Sequence, residues 1–235
     1  SSEYRLWQGS DFDFDSFISS AREEILENLD IPKMLIDELN IQPIPARRHG
    51  VETGAAREFT IHFAMDNLIP ERNGTSDNGQ IIYFLPSTET ELAKCITQSK
   101  TYDNPFSVCA VPNDPVTISD LVIELSALNK VLQEQTELQD DPVALKEMFG
   151  RIQQTEEVLR EEIQTIMEPV LKNTNWFVKG SEIQITSRRN LQETLSSLCD
   201  EVFSKSPKVP NELINRSYIS SPMRRGLKLL INGLI

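Results

Sequence analysis

The sequence predicts a mixed, helix-rich α/β fold: a small, partly parallel sheet, a long antiparallel helical hairpin, and a C-terminal unit of helices and a β-hairpin. Three observations carry that expectation. Phe59, Ile61, Phe63 and Met65 alternate with Thr60, His62 and Ala64, the period of two of a half-buried strand. Two continuous apolar runs, Ile81 to Leu85 and Phe106 to Val111, read as strands buried on both faces, and the helix between them argues for a right-handed crossover and parallel pairing. Two long amphipathic stripes then follow, joined by the short connection Glu137 to Pro142.

In chain order, Tyr4 to Asp15 reads as an extended or turn segment that leads into a helix from about Ser16 to Leu29, capped by Asp15 or Ser16. A second helix, about Pro32 to Leu39, begins with proline in the first turn, where no amide donor is needed. The prolines between Gln42 and Pro45 and the basic Arg47-Arg48-His49 separate it from the alternating strand, and Asn73 to Gly79 is a turn by composition. Thr88 and Glu91 form a capping box that opens a helix from about Glu89 to Ser99.

The first long stripe runs from Thr117 to about Gln135 on Ile118, Leu121, Val122, Leu125, Leu128 and Leu132. The second runs from Pro142 to about Leu171 on Met148, Ile152, Leu159, Ile163, Met167 and Val170, a rod on the order of 40 Å at ~1.5 Å per residue. Trp176 to Val178 and Ile183 to Ile185 flank Lys179 to Glu182 as a hairpin, and a helix from about Arg189 to Phe203 precedes the loop holding Pro207 and Pro210 and the final helices. Four segments result: 1–44, an N-terminal helical segment; 45–115, a small α/β layer; 116–172, the helical hairpin; and 173–235, a β-hairpin with a basic helical unit.

Composition narrows the class. The 39% hydrophobic and 25% charged fractions are those of a globular chain, and 235 residues can bury a core without disulfides or metals. No apolar run nears the ~18 residues that cross a bilayer, and the N-terminus has no signal pattern, so a cytosolic protein without membrane contact is expected. Cys95, Cys109 and Cys199 are odd in number and far apart, which predicts buried, reduced thiols. The chain starts without Met and ends in a helical apolar face of Leu227, Leu230, Ile231 and Leu234, which reads as a piece of a longer chain seeking a partner surface.

The net charge of −13 is uneven. Residues 1–177 hold 14 basic against 31 acidic residues, whereas residues 178–235 hold 9 basic against 5 acidic. A polyanion could therefore meet only the C-terminal part.

Catalytic motifs are missing from the sequence. It has neither a GxxxxGK(S/T) nor a GxGxxG pattern, and Pro86-Ser87-Thr88-Glu89 after the first apolar run cannot cradle phosphate. Asp11, Asp13 and Asp15 sit at alternate positions like calcium ligands, but Ser16 replaces the required glycine and Arg22 the closing glutamate, so helix capping is the expected role. Nothing in the spacing brings His49 or His62 to a cysteine and an aspartate, and the expected site is free of metal and cofactor. The basic C-terminal cluster is the candidate surface for the phosphate of a nucleotide or of DNA: Arg216 first, in the polar Asn211 to Arg216 turn, with Arg188, Arg189, Arg224 and Arg225, since a guanidinium fork matches phosphate.

Four phrases, Tyr4 to Asp13, Glu52 to Phe59, Glu124 to Leu132 and Asn211 to Arg216, together resemble the large P-loop ATPases of bacterial phage-defence islands, the BREX-type group and its relatives. The resemblance implies a non-catalytic regulatory or assembly segment of a defence ATPase, with ATP and Mg bound elsewhere in the parent protein. It implies as partners other domains of the same chain, proteins of the defence complex, DNA at the C-terminal basic region, or a second copy. The alternative is a nucleic-acid-binding module in which the hairpin and following helix act like a winged helix. A hydrolase of unrecognised type rests on the α/β layer alone, which does not license it.

Overall fold

The computed structural model describes residues 12–26, 29–39, 41–65 and 78–208. Its centre is one six-stranded sheet in sequential order: β1 (Ile44–Pro45), β2 (Glu58–Ala64), β3 (Gly79–Phe84), β4 (Ser107–Pro112), β5 (Thr174–Val178) and β6 (Ser181–Ile183). Strands β2, β3 and β4 are parallel, and β1, β5 and β6 run antiparallel to their neighbours. The expected mixed α/β class and parallel pairing of the two apolar runs are therefore present. The C-terminal hairpin joins the same sheet, because Val108 to Pro112 of β4 pair with Val178 to Thr174 of β5.

Eight α-helices flank the sheet among the described residues: α1 (Phe14–Leu26), α2 (Ile31–Leu39), α3 (Arg47–Thr53), α4 (Glu89–Thr101), α5 (Ile118–Glu134), α6 (Thr136–Asp140), α7 (Pro142–Met167) and α8 (Arg188–Val202). The two faces of the sheet are unequal. Phe59, Ile61, Phe63, Ile81, Tyr83, Val108, Ala110 and Trp176 point to a core shared with α1, α2, α5, α7 and α8. The opposite face carries Ala64, Ile82, Phe84, Cys109, Val111 and Phe177 under Leu92 and Cys95 of α4.

Local chemistry sets the element ends. The Thr88 hydroxyl accepts from the Glu91 amide and the Glu91 carboxylate accepts from the Ser87 amide, closing the capping box of α4 one residue further out than the usual pattern. Asp141 caps α7 by accepting from Val143 and Ala144, and Ser187 caps α8 by accepting from Asn190. The α1 cap is Asp13, which accepts from Ser16, so the helix starts two residues before the expected Ser16. That carboxylate acts at a helix start, and no cluster of metal-ligating residues occurs among the described residues.

Three expectations need correction. The second long helix stops at Met167 instead of Leu171, because Pro169 holds Glu168 in an extended conformation (ψ 105°) and a short 3-10 turn follows that leaves Val170 exposed. The hairpin turns on two residues, Lys179 and Gly180, both at positive φ, so Ile185 is buried beyond the strand end. A Cβ on Gly180 would stand 2.4 Å from the Lys100 carbonyl oxygen, so glycine is needed there for space as well as for φ. Lastly, Arg47-Arg48-His49 lies in a helix, α3, ended by Gly54 in the left-handed conformation.

Both stripes of the helical hairpin pack as expected, with Ile118, Val122, Leu125 and Leu128 of α5 and Met148, Ile152, Leu159 and Ile163 of α7 buried. Buried Leu138 of α6 fills the turn between them. No helix of the described residues is long and apolar enough to cross a membrane. The three cysteines are free and buried.

Candidate functional site: an arginine-rimmed groove beside a closed ion-pair cluster

Two arginine-rich sites adjoin on the helical side of the sheet. The first is closed. α3 packs on α8, and buried His49 donates from Nδ1 to Asp200 Oδ1 at 2.7 Å while Arg48 Nη2 lies 2.7 Å from Asp200 Oδ2. Arg48 also reaches Glu52 at 3.5 Å and Ser197 at 3.3 Å. Burial alone would raise the Asp200 pKa, but the hydrogen bonds from His49 and Arg48 and their positive charge outweigh it and hold the carboxyl below its ordinary value. Phe203, stacked under the Arg57 guanidinium at 4.0 Å and edge-on to Phe106, seals the underside.

This cluster brings a histidine and an aspartate together, with Cys199 next in the chain. That cysteine is not poised as a nucleophile. Cys199 is fully buried, and burial with the neighbouring Asp200 charge pushes its thiol up to about 11, against the partial offset of Arg57 and Arg48. The remaining histidine, His62, lies on the α4 side of β2, where partial burial lowers its pKa.

The second site is open. Where the chain passes from α2 through β1 into α3, it faces the last turns of α7 and the first turn of α8 across a groove of about 950 Å³. Its floor is aliphatic, from Ile41, Ile44, Ile163, Met167 and Leu191, with Tyr83 of the central strand β3 at its base. Five arginines line it (Arg47 and Arg48 of α3, Arg160 of α7, Arg188 and Arg189 of α8) against two glutamates, Glu168 and Glu193. In a chain of net charge −13 this is a local reversal of sign.

Of the five residues expected to contact phosphate, Arg188 and Arg189 lie on this rim. Arg188 holds the Glu168 carboxylate through Nε at 2.7 Å and Nη2 at 2.6 Å, and Arg189 meets Glu193 one helical turn on at 3.0 Å. Both side chains stay mostly exposed, at 79% and 89%. Arg216, Arg224 and Arg225 lie outside the described residues, as do the Asn211 to Arg216 turn, most of the Asn73 to Gly79 turn and residues 4–11 of the Tyr4 to Asp15 segment.

Sequence reasoning passed over Arg160 and Tyr83. Arg160 is one exposed residue of a charged helix, and Tyr83 one member of an apolar run, so neither carries a signal until α7 is laid across the sheet. Arg47 and Arg160 have no carboxylate partner among the described residues. Comparison of the chain with protein-family models, with curated proteins and with solved structures finds no match in any of the three.

Proposed function

We propose that this chain is a regulatory or assembly segment of a large, cytosolic anti-phage defence ATPase, and that the arginine-rimmed groove is where it receives an anionic group that reports on the rest of the complex. The observation that carries the reading is the concentration of five guanidiniums around one concavity of an otherwise acidic chain. Such a groove selects negative partners by charge and orients them by guanidinium geometry. The 26-residue α7, which lines the groove near its C-terminal end and packs on α5, gives a stiff element through which occupancy is passed on. ATP and Mg belong to the parent protein's nucleotide-binding core in this reading, and a second copy or another defence protein is the candidate partner.

The test is a charge reversal in the intact defence protein. Arg47→Glu combined with Arg160→Glu is expected to lower phage restriction by tenfold or more, on the order of a lost charged contact, with ATP turnover uncoupled from restriction. Wild-type restriction and turnover in that variant would remove the proposal.

The nucleic-acid alternative draws on Arg188 and Arg189, exposed on the helix that follows a hairpin. A wing needs a free hairpin, whereas β5 is held between β4 and β6 and buries Trp176 and Phe177. Salt-dependent DNA binding that weakens in Arg188→Ala/Arg189→Ala would favour this reading over the first.

A further inference from the structure

We propose that the groove between the end of α7, the first turn of α8 and the Ile41–Arg48 segment is a binding site for a small organic anion, its phosphate or carboxylate head taken by the rim arginines and its apolar body lying on the aliphatic floor. This rests on the regulatory reading above and names the ligand class it leaves open.

Four observations converge. First, the rim is not self-neutralised. Arg188 and Arg189 are each engaged by an internal carboxylate, while Arg47 on one wall and Arg160 on the other are exposed and without a carboxylate partner among the described residues. A chain with 36 acidic side chains has ample means to pair them, and does so at Arg22, Arg48 and Arg151. The two engaged arginines also show which chemistry the rim accepts, since Arg188 grips a carboxylate oxygen with two donors.

Second, Tyr83 lines the groove, is 1% exposed, and has no hydrogen-bond partner for its hydroxyl among the described residues. The hydroxyl is not among the fully buried polar atoms left without a partner in the described residues, so it opens onto the groove and is accessible to an occupant. Its ring is fixed edge-on against Trp176 at 5.8 Å and beside Phe63, so the hydroxyl is held in place. Burial and the Glu168 charge keep it protonated, so it stands as a donor for an acceptor carried by the occupant.

Third, the volume of about 950 Å³ lies at the upper end of the ~300–1,000 Å³ of small-ligand sites. Fourth, the floor is aliphatic while the charges stand on the rim, which suits a molecule with a charged head and an apolar body. A nucleic-acid duplex presents a convex polyanion that the acidic remainder of the surface repels, so the concave, apolar-floored groove favours the small ligand.

The experiment uses the 235-residue chain and anilinonaphthalene sulfonate, an anion with an apolar ring body whose fluorescence rises on leaving water. Saturable one-to-one binding is expected, displaced by dodecyl phosphate but not by equal concentrations of inorganic phosphate or dodecanol. Arg47→Glu with Arg160→Glu should weaken it by about tenfold or more, and Tyr83→Phe by a few-fold, roughly the worth of one hydrogen bond. Circular dichroism and the thermal midpoint establish that each variant is folded, and Arg22→Glu, on α1 away from the groove, should bind as wild type.

Non-saturable binding, equal affinity in the double reversal, or displacement by a DNA duplex, an acidic peptide or phosphatidic acid vesicles in preference to dodecyl phosphate would overturn the proposal. If the double reversal abolishes phage restriction while the chain binds no probe, the regulatory reading stands and this one falls.

Discussion

Arg47 and Arg48 are adjacent in the chain and end in opposite circumstances. Consecutive residues of α3 point about 100° apart, so Arg48, though it also touches the groove wall, turns toward α8 and pairs with Asp200, while Arg47 stands on the groove without a carboxylate partner among the described residues. Around Asp200, positive charge is consumed by the fold: a buried imidazole, a guanidinium and a carboxylate settle one another at 2.7 Å. Around the groove, Arg48, Arg188 and Arg189 are paired, and Arg47 and Arg160 are left without a carboxylate partner among the described residues. The difference separates charge that holds a helix in place from charge available for recognition.

The contrast breaks most directly at Asp200. Asp200→Ala leaves buried His49 without its acceptor and Arg48 with only Glu52 and Ser197, and should cost on the order of 1–3 kcal/mol in a urea titration, with probe binding in the groove retained. A loss of binding without a loss of stability would mean that the two sites are one.

Acid sharpens the same distinction. The Asp200 carboxyl has a lowered pKa in the folded chain, so its contribution is fully present above the unfolded value of ~3.9 and is lost as pH falls through the lower folded value. Asp200→Asn should flatten that acid limb of the stability profile, whereas Arg47→Ala should leave it unchanged. His62 adds a shallower slope at higher pH: burial lowers its pKa, so the unfolded chain takes up the proton first and stability declines as pH drops below ~6.5. His62→Gln should remove this slope.

A smaller effect is expected at Arg48, whose guanidinium is 41% exposed. Arg48→Ala should cost ~0.2–1 kcal/mol by thermal melting. Arg47→Ala and Arg160→Ala should be smaller still, within ~0.5 kcal/mol of wild type, since neither has an ion pair to lose among the described residues. A destabilisation of either beyond that of Arg48→Ala would mean that the open rim is structural after all.

Much of the fold was legible because its signals are local. Alternation at Phe59 to Ala64, the two apolar runs and the Thr88 cap each report on a few neighbouring residues, and each appears where expected. Helix α3 was not legible: Arg-Arg-His-Gly-Val-Glu-Thr has no apolar stripe, and His49 is buried through Asp200, 151 positions along the chain. The end of α7 was readable in principle, since Pro169 forbids the helical conformation at Glu168, but the apolar period continues through Val170 and masked it.

The candidate site was legible only in part. Arg188 and Arg189 stand out as a basic pair after a hairpin, yet the groove is assembled from four separate segments, and Arg160 and Tyr83 become members only through packing. Periodicity carries no information about which charges a distant helix will leave unpaired.

The borders of the sheet have a bearing on how copies of this chain meet. One margin is the two-residue β1, where Pro43 and Pro45 on either side of Ile44 carry no amide proton, and the other is the three-residue β6. Among the described residues both rims are short, and β1 lacks outward amide donors at its prolines, so a foreign strand finds little ladder to extend at that margin.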